Sequence, residues 1–146
     1  MIEEHLSGAV ELPDGCWVRG RGLRRPAPDD APDYGLYLGG SRMRRDFEPA
    51  LTWPHDWIDW PDFLLPRDRA AAIGRIGELH DRARRGDRVE VACGGGVGRT
   101  GTVISCLAIR AGVPAAEAVA WTRANYRHGA VETPWQRRWV ARFPAG

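Results

Sequence analysis

The sequence feature that most constrains the fold is a glycine-rich run, Gly94 to Gly98, between two apolar segments. Residues 88–92 alternate in the manner of a short strand that leads into Cys93, and residues 100–111 are apolar and long enough for a helix. A glycine loop between a strand and a helix presents backbone N–H groups and the helix N-terminus to a bound anion. The run therefore predicts an anion-binding loop in a domain that contains both strands and helices.

The length of 146 residues predicts one domain, residues 1–146, because a second core has no room. Segments 16–19 and 34–38 predict strands, separated by a proline-containing loop at 20–32. Apolar spacing predicts a helix over 67–85. Two more helices are predicted over 114–125, with proline in the first turn, and from the Thr133 N-cap through Arg142. Three prolines within 53–66 predict a loop there.

Composition excludes several classes of function. All 21 basic residues are arginine, which excludes a mechanism through a lysine Schiff base and a nucleotide-binding loop that needs lysine. The net charge of +2 is too small to indicate binding to nucleic acid. No uncharged stretch could span a bilayer, and the N-terminus lacks a signal-peptide pattern. Three cysteines and four scattered histidines have no ligand spacing. We expect a cytoplasmic protein without metal, cofactor, nucleic-acid or membrane partner.

The residues within and beside the glycine run predict phosphate chemistry. Cys93 precedes a helix N-terminus, where the helix dipole stabilises a thiolate. Arg99 offers a planar fork that suits two phosphate oxygens. A nucleophile and a phosphate clamp in one loop predict phosphoryl transfer through a phosphocysteine. The predicted phosphate loop consists of Gly94, Gly95, Gly96, Val97, Gly98 and Arg99.

Cysteine, five residues, arginine and then threonine resembles the signature of the protein tyrosine phosphatase superfamily, and the short chain is similar to small bacterial tyrosine and dual-specificity members. The resemblance implies a single α/β domain with a central, mostly parallel sheet flanked by helices. It implies a cysteine-dependent phosphatase, most simply a protein-tyrosine phosphatase, that acts on phosphorylated proteins or peptides. It also implies that the Thr100 hydroxyl helps the thiolate to leave in the second step.

A second motif, Trp60-Pro61-Asp62, lies shortly before the loop and resembles the mobile general-acid loop of the same superfamily. A carboxylic acid on a closing loop can protonate the leaving group and exclude water. The resemblance implies that Asp62 is the general acid. Asp56 and Asp59 are competing carboxylates in the same segment.

A third motif, residues 132–138, resembles the superfamily's C-terminal glutamine loop. The resemblance implies that Gln136 positions the water that hydrolyses the phosphoenzyme. The alternative is that Gln136 is a solvated surface residue, since glutamine beside two arginines on a helix is usually exposed.

One position departs from the superfamily pattern, because Ala92 stands where a histidine usually precedes the nucleophile. We expect a slower but active enzyme, since the thiolate, the arginine and the acid are all retained. Dual-specificity or phosphoinositide activity and non-catalytic phosphopeptide binding remain alternatives, and a partitioning-type ATPase is the least favoured. The basic run 42–45 could contact acidic substrate residues, or could be an ordinary exposed loop.

Overall fold

The computed structural model describes residues 5–145. Five strands of this range form one sheet in the order β1-β2-β5-β3-β4, in which all neighbours are parallel except β1 and β2. The strands are β1 (Val10–Glu11), β2 (Trp17–Gly22), β3 (Tyr34–Gly39), β4 (His55–Asp59) and β5 (Val89–Cys93). The predicted α/β fold with a central, mostly parallel sheet is confirmed.

In the described part of the chain, five α-helices and two short 3₁₀ helices accompany this sheet. The α-helices are α1 (Ser41–Phe47), α2 (Arg69–Arg84), α3 (Gly98–Arg110), α4 (Ala118–Asn125) and α5 (Pro134–Ala141). The 3₁₀ helices are Glu48–Ala50 and Ala115–Glu117. Within residues 5–145, no helix has both the length and the apolar character needed to cross a membrane.

The two faces of the sheet bury two separate cores. Alternate residues of the central strand β5 point to opposite faces, so Val91 joins the larger core and Ala92 joins the smaller one. The larger core packs against α2 to α5, and the smaller core packs against Met43 of α1. The end of β5 is therefore held between two packed layers.

Helix α3 is the central helix of the domain, since 12 of its 13 residues are buried. Its glycines allow close approach of other segments: a side chain on Gly101 would place its Cβ 2.5 Å from the Cβ of Ala130. Strand β5, the loop and α3 thus form a rigid unit through the middle of the molecule, as the sequence predicted to within about two residues at each boundary.

Two predictions were wrong. Residues 53–66 were predicted to form a loop, but His55–Asp59 forms strand β4, because Pro54 and Pro61 lie outside the strand and mark its limits. The basic run 42–45 is not a loop, since it lies on α1. The helix predicted over 114–125 starts as the 3₁₀ turn before α4.

Candidate active site

The sulfur of Cys93 lies at the buried end of β5 and accepts two hydrogen bonds. The backbone N–H of Gly96 donates to Sγ over 3.2 Å, and the hydroxyl of Thr100 donates over 3.1 Å. Both donors stabilise a negatively charged sulfur more than a neutral thiol. Helix α3 begins just beyond, and its N-terminus has no side-chain cap, which leaves its N–H groups available to an anion.

The backbone of the loop packs directly on the end of β2. Gly96 has a positive φ of 76°, and a Cβ there would lie 2.6 Å from the backbone of Arg21. A Cβ on Gly22 would lie 2.7 Å from the backbone of Gly95. Glycine is required at both positions, because a side chain at either would push the loop off the strand.

Hydrogen bonds fix the loop from two sides. On one side, the N–H of Leu23 donates to the carbonyl of Cys93 over 2.8 Å, which continues the pairing of β2 with β5. On the other side, the hydroxyl of Tyr126 at the end of α4 donates to the carbonyl of Gly96 over 2.5 Å. Burial raises the pKa of Tyr126 to about 12, so this donor keeps its proton at neutral pH.

Arg99 is almost fully buried, and its guanidinium nitrogens differ in their partners. Its Nη1 donates to the carbonyls of Trp60 and Leu38 over 3.0 and 3.3 Å, and its Nη2 lies 3.2 Å from Oδ1 of Asp62. Its Nε is buried and has no partner within residues 5–145. An unpaired buried donor is costly unless a ligand satisfies it, so the Nε–Nη2 edge fits an oxyanion.

A cleft of about 470 Å³ opens at this edge. Asp62 and Arg99 both line it, so the structure brings the predicted acid and the predicted phosphate-binding arginine together. The other lining residues are Arg24, Gly40, Arg42, Met43, Asp46 and Phe47. A cleft of this size holds a small organic group beyond a phosphate.

The two competing carboxylates lie elsewhere. Asp59 forms an ion pair with Arg67 at 3.2 Å, and Asp56 forms one with Arg75 at 3.5 Å. Neither aspartate lines the cleft that contains Asp62. The geometry therefore favours Asp62 over both.

The segment that carries Asp62 is anchored at its ends and exposed in the middle. The fully buried Trp60 donates from Nε1 to the carbonyl of Leu64 over 2.8 Å. Between them, Phe63 has a positive φ of 61° and is 52% exposed. Its carbonyl accepts a 2.5 Å hydrogen bond from Nε1 of Trp135. In this acid loop (residues 60–65), only the middle, residues 62–64, is exposed.

Gln136 is fully buried, so the alternative of a solvated surface residue is wrong. Its Oε1 accepts from the N–H groups of Glu132 and Thr133, which completes a capping box at the start of α5. Its Nε2 lies 3.5 Å from the carbonyl of Leu64. Within residues 5–145 no hydrogen bond joins Gln136 to Cys93 or Asp62, so Gln136 contacts the acid loop rather than the sulfur.

A buried charge network lies beneath the loop. Glu90 accepts hydrogen bonds from Arg19, Arg21 and Tyr37 at 2.6 to 3.0 Å, and all four residues lie on neighbouring strands. Burial and the Glu90 charge raise the pKa of Tyr37 well above its usual range. The network ties β2, β5 and β3 together just before the loop. No sequence motif predicts it, because the partners are brought together only by strand pairing.

A second cluster, Asp14, Cys16 and His80, lies away from the cleft, with its potential ligand atoms within 4.8 Å of one another. Nε2 of His80 contacts Asp14 at 2.7 Å, and Arg110 donates to Nδ1 over 3.0 Å. Because Nδ1 accepts from arginine, the ring proton is on Nε2 and points to Asp14. The imidazole therefore has no free lone pair for a metal, and the cluster is a hydrogen-bonded support.

Comparisons with known proteins agree with this geometry. Residues 68–142 match the DSP-PTPase phosphatase domain of Swiss Army Knife proteins, PTP-SAK, and the chain belongs to this family. The match includes the cysteine loop and residue 136, while Asp62 lies before it. The chain is therefore a cysteine-dependent protein phosphatase, and the predicted superfamily is confirmed.

Solved structures of phosphatases resemble the whole domain. Tk-PTP in its active form is 25% identical, with 92% of this chain and 94% of that chain covered and a TM-score of 0.70. Kinase associated phosphatase, crystallised with its catalytic-site cysteine replaced by serine, is 13% identical over 90% of each chain, with a TM-score of 0.70. PTPMT1 is 14% identical over 92% of each chain, with a TM-score of 0.62. Kinase associated phosphatase and PTPMT1 therefore share the fold of this chain.

Proposed function

We propose that the protein is a protein-tyrosine phosphatase that acts through a phosphocysteine intermediate on Cys93. The observation that carries this proposal is a doubly hydrogen-bonded sulfur at one end of the glycine loop and, at the other end, an arginine with an unpaired buried Nε. A phosphate ester in the cleft would satisfy Nε and Nη2 of Arg99 with two of its oxygens. The same placement would bring phosphorus next to the sulfur.

In the first step, the Cys93 thiolate attacks phosphorus, an S–P bond forms and the bond to the leaving oxygen breaks. Arg99 and the loop N–H groups of Gly94 to Gly98 hold the non-bridging oxygens, with charge stabilised in a preorganised site. Asp62 protonates the leaving oxygen. Its contact with Nη2 of Arg99 supports this role, because it places the carboxyl group beside the proposed phosphate position. The arriving phosphate replaces the carboxylate on the arginine, and Asp62 takes up a proton from solvent before it donates that proton to the leaving oxygen.

In the second step, water attacks the phosphocysteine, the S–P bond breaks and inorganic phosphate leaves. Asp62, now a carboxylate, accepts the proton from the water. The Thr100 hydroxyl, 3.1 Å from Sγ, stabilises the departing thiolate. Gln136 would orient the water through Nε2, since Oε1 is occupied by the capping box and Nε2 has only a long contact to Leu64.

Phosphotyrosine is the substrate that the cleft favours. Met43 and Phe47 give one wall an apolar surface for an aromatic ring, and the phosphate loop has no basic side chain between Cys93 and Arg99. We further propose that residues 1–146 act as one catalytic unit in the cytoplasm. The three free cysteines agree with a reducing compartment.

The test is hydrolysis of 4-nitrophenyl phosphate and of matched phosphotyrosine and phosphoserine peptides by the full chain, in the presence of a metal chelator. We expect turnover, a preference for phosphotyrosine, and a phosphoryl group on the Cys93 peptide after acid quenching. Cys93→Ser should lower turnover by several orders of magnitude and still bind tungstate, while the control Cys16→Ser should retain activity. Turnover that survives Cys93→Ser, or activity confined to ATP with Mg²⁺, would overturn the proposal.

A further inference from the structure

Two arginine side chains that line the cleft have no partner among the described residues. Arg24 and Arg42 both line the cleft with Arg99, and the side chain of neither forms a hydrogen bond or an ion pair within residues 5–145. Their neighbours in sequence differ, since Arg25 donates to the carbonyl of Gly95 over 3.3 Å and Arg44 pairs with Glu48 at 3.1 Å. The proposed reaction uses only Arg99, which leaves two cations beside the site without a role.

Arg24 is held above the phosphate loop by its own backbone. Its N–H donates to the carbonyl of Gly94 over 3.1 Å. Its guanidinium occupies the space that a side chain on Gly94 would take. The charge of Arg24 therefore lies beside the phosphate position, where it can reach a group next to the scissile ester.

Arg42 approaches the same space from helix α1. The next residue, Met43, is buried, and its Cε lies 3.2 Å from the position of a Cβ on Gly94. This contact fixes α1 against the loop, and Arg42 lines the same cleft as Asp62 and Arg99. Arg24 and Arg42 thus belong to separate elements that converge on one opening.

We propose that Arg24 and Arg42 form a second anion-binding position, which selects phosphotyrosine peptides with aspartate or glutamate next to the phosphotyrosine. This inference rests on the proposed function, because it assumes that the phosphate of the substrate occupies the loop. Guanidinium groups bind carboxylates with paired N–H donors, and unpartnered arginines have no competing contact to give up.

The charges in the cleft favour carboxylates over a headgroup with several phosphates. Asp46 and Asp62 line the same space as Arg24, Arg42 and Arg99, so the excess of positive charge is small. The three arginines can balance the negative charge of a substrate with one phosphate and one or two carboxylates. Additional phosphates on a substrate would be repelled by the two aspartates. The glycine loop adds only backbone donors.

The experiment compares phosphotyrosine peptides that carry glutamate or aspartate within two residues of the phosphotyrosine with peptides that carry glutamine or asparagine instead. The two sets differ in charge and hardly in size. We expect kcat/KM to be about fivefold to tenfold higher for the acidic set, the sum of two exposed ion pairs. The preference should shrink at high salt, since raising the ionic strength from about 0.01 M to about 1 M shortens the screening length from about 30 Å to about 3 Å.

Variants assign the preference to the two arginines. Arg24→Gln and Arg42→Gln should each reduce the ratio of acidic to amide kcat/KM by about half or more, and the double variant should bring the ratio close to one. The ratio within one variant is the readout, so a general loss of activity does not affect it. The control is Arg45→Gln, on the same helix and 73% exposed, which should keep the wild-type ratio.

The outcomes separate this inference from the proposed function. A wild-type enzyme that hydrolyses 4-nitrophenyl phosphate and both peptide sets at equal rates overturns the second anion-binding position alone. A preference that persists in the double variant also overturns it. Faster hydrolysis of phosphoinositides in vesicles than of acidic peptides overturns the proposal that the second position selects peptides. An enzyme inactive on every phosphate ester overturns the proposed function itself.

Discussion

The phosphate loop and the acid loop lie on the same cleft but are held in different ways. The phosphate loop is fixed by backbone contacts: Gly96 packs on β2, and its carbonyl accepts the hydroxyl of Tyr126. The acid loop has Phe63 half exposed, with its carbonyl held by Trp135, and the side chain of Asp62 is 53% exposed. The phosphate loop is part of the core, whereas the middle of the acid loop lies on the surface.

The difference matches what the proposed reaction requires of each loop. Charge stabilisation works best when donors are already in place, so a phosphate-binding loop gains from rigidity. A general acid must instead admit the substrate, exclude water and release the product, so it gains from a loop with few contacts. The contrast therefore predicts that changes in the two loops will affect different steps.

The largest expected effect comes from Asp62→Asn, which removes the proton donor and leaves the shape of the acid loop intact. We expect kcat on phosphotyrosine peptides to fall by about 10² to 10⁴, the usual contribution of general acid catalysis. The loss should be much smaller for 4-nitrophenyl phosphate, because its leaving group needs less help from a proton. Steady-state kinetics on both substrates measure the difference.

The matched control for this prediction is Asp59→Asn. Asp59 lies three residues earlier and is also exposed, and its ion pair is with Arg67 at 3.2 Å. Its replacement should change kcat by less than about twofold, in line with a surface ion pair. If Asp62→Asn lowers kcat equally on both substrates, or if Asp59→Asn lowers kcat more, then Asp62 is not the general acid.

An intermediate effect is expected from Tyr126→Phe, which removes the donor to the carbonyl of Gly96. Loss of this hydrogen bond, of about 1 to 1.5 kcal/mol, should loosen the phosphate loop and lower kcat/KM about tenfold on activated and poor leaving groups alike. Tyr34→Phe is the control, because the Tyr34 hydroxyl has no hydrogen-bond partner in the described part of the chain. An unchanged kcat/KM in Tyr126→Phe would show that the loop does not need this support.

The same variant has a distinct pH dependence of stability. The pKa of Tyr126 is about 12 in the folded protein, raised mainly by burial from an ordinary value near 10. Its contribution is therefore complete below pH 10 and is lost as the pH rises from about 10 towards 12, because only the unfolded chain releases the proton there. Urea unfolding across this range should show a steeper loss for the wild type than for Tyr126→Phe, by at most about 2 kcal/mol. Parallel curves would contradict the raised pKa.

The smallest effect is expected from Trp135→Phe, which keeps an aromatic ring and removes the N–H that donates to the carbonyl of Phe63. We expect a change in kcat of about threefold with little change in the unfolding free energy, since the residue is 41% exposed. Hydrogen exchange should become faster in residues 60–65 and stay unchanged in residues 93–99. The control Trp121→Phe lies on α4, and a similar change there would show that the effect is not specific to the acid loop.

The sequence predicted the strand, glycine loop and helix around Cys93 well because their determinants are local. Cysteine, glycines, arginine and threonine lie within eight consecutive positions, and the strand and helix beside them follow from apolar patterns. The acid loop was assigned by resemblance, yet its strand β4 was missed, because the prolines that bound the strand suggested an interrupted segment.

The supports of both loops could not be predicted, because they come from distant parts of the chain. Tyr126 reaches Gly96 across 30 residues, and Trp135 reaches Phe63 across 72. The placement of Arg24 over Gly94 depends on the pairing of β2 with β5. The burial of Gln136 had a local signal, since threonine followed three residues later by glutamine predicts a capping box.

The unpaired Nε of Arg99 has a consequence for handling the protein. Within residues 5–145 this donor finds no acceptor, so sulfate, vanadate and the orthophosphate released by the reaction can each supply one. Any such ion that binds only the native chain raises the melting temperature and competes with the ester. Assays in phosphate or sulfate buffers therefore understate turnover and overstate thermal robustness, and a buffer without tetrahedral anions is the proper reference.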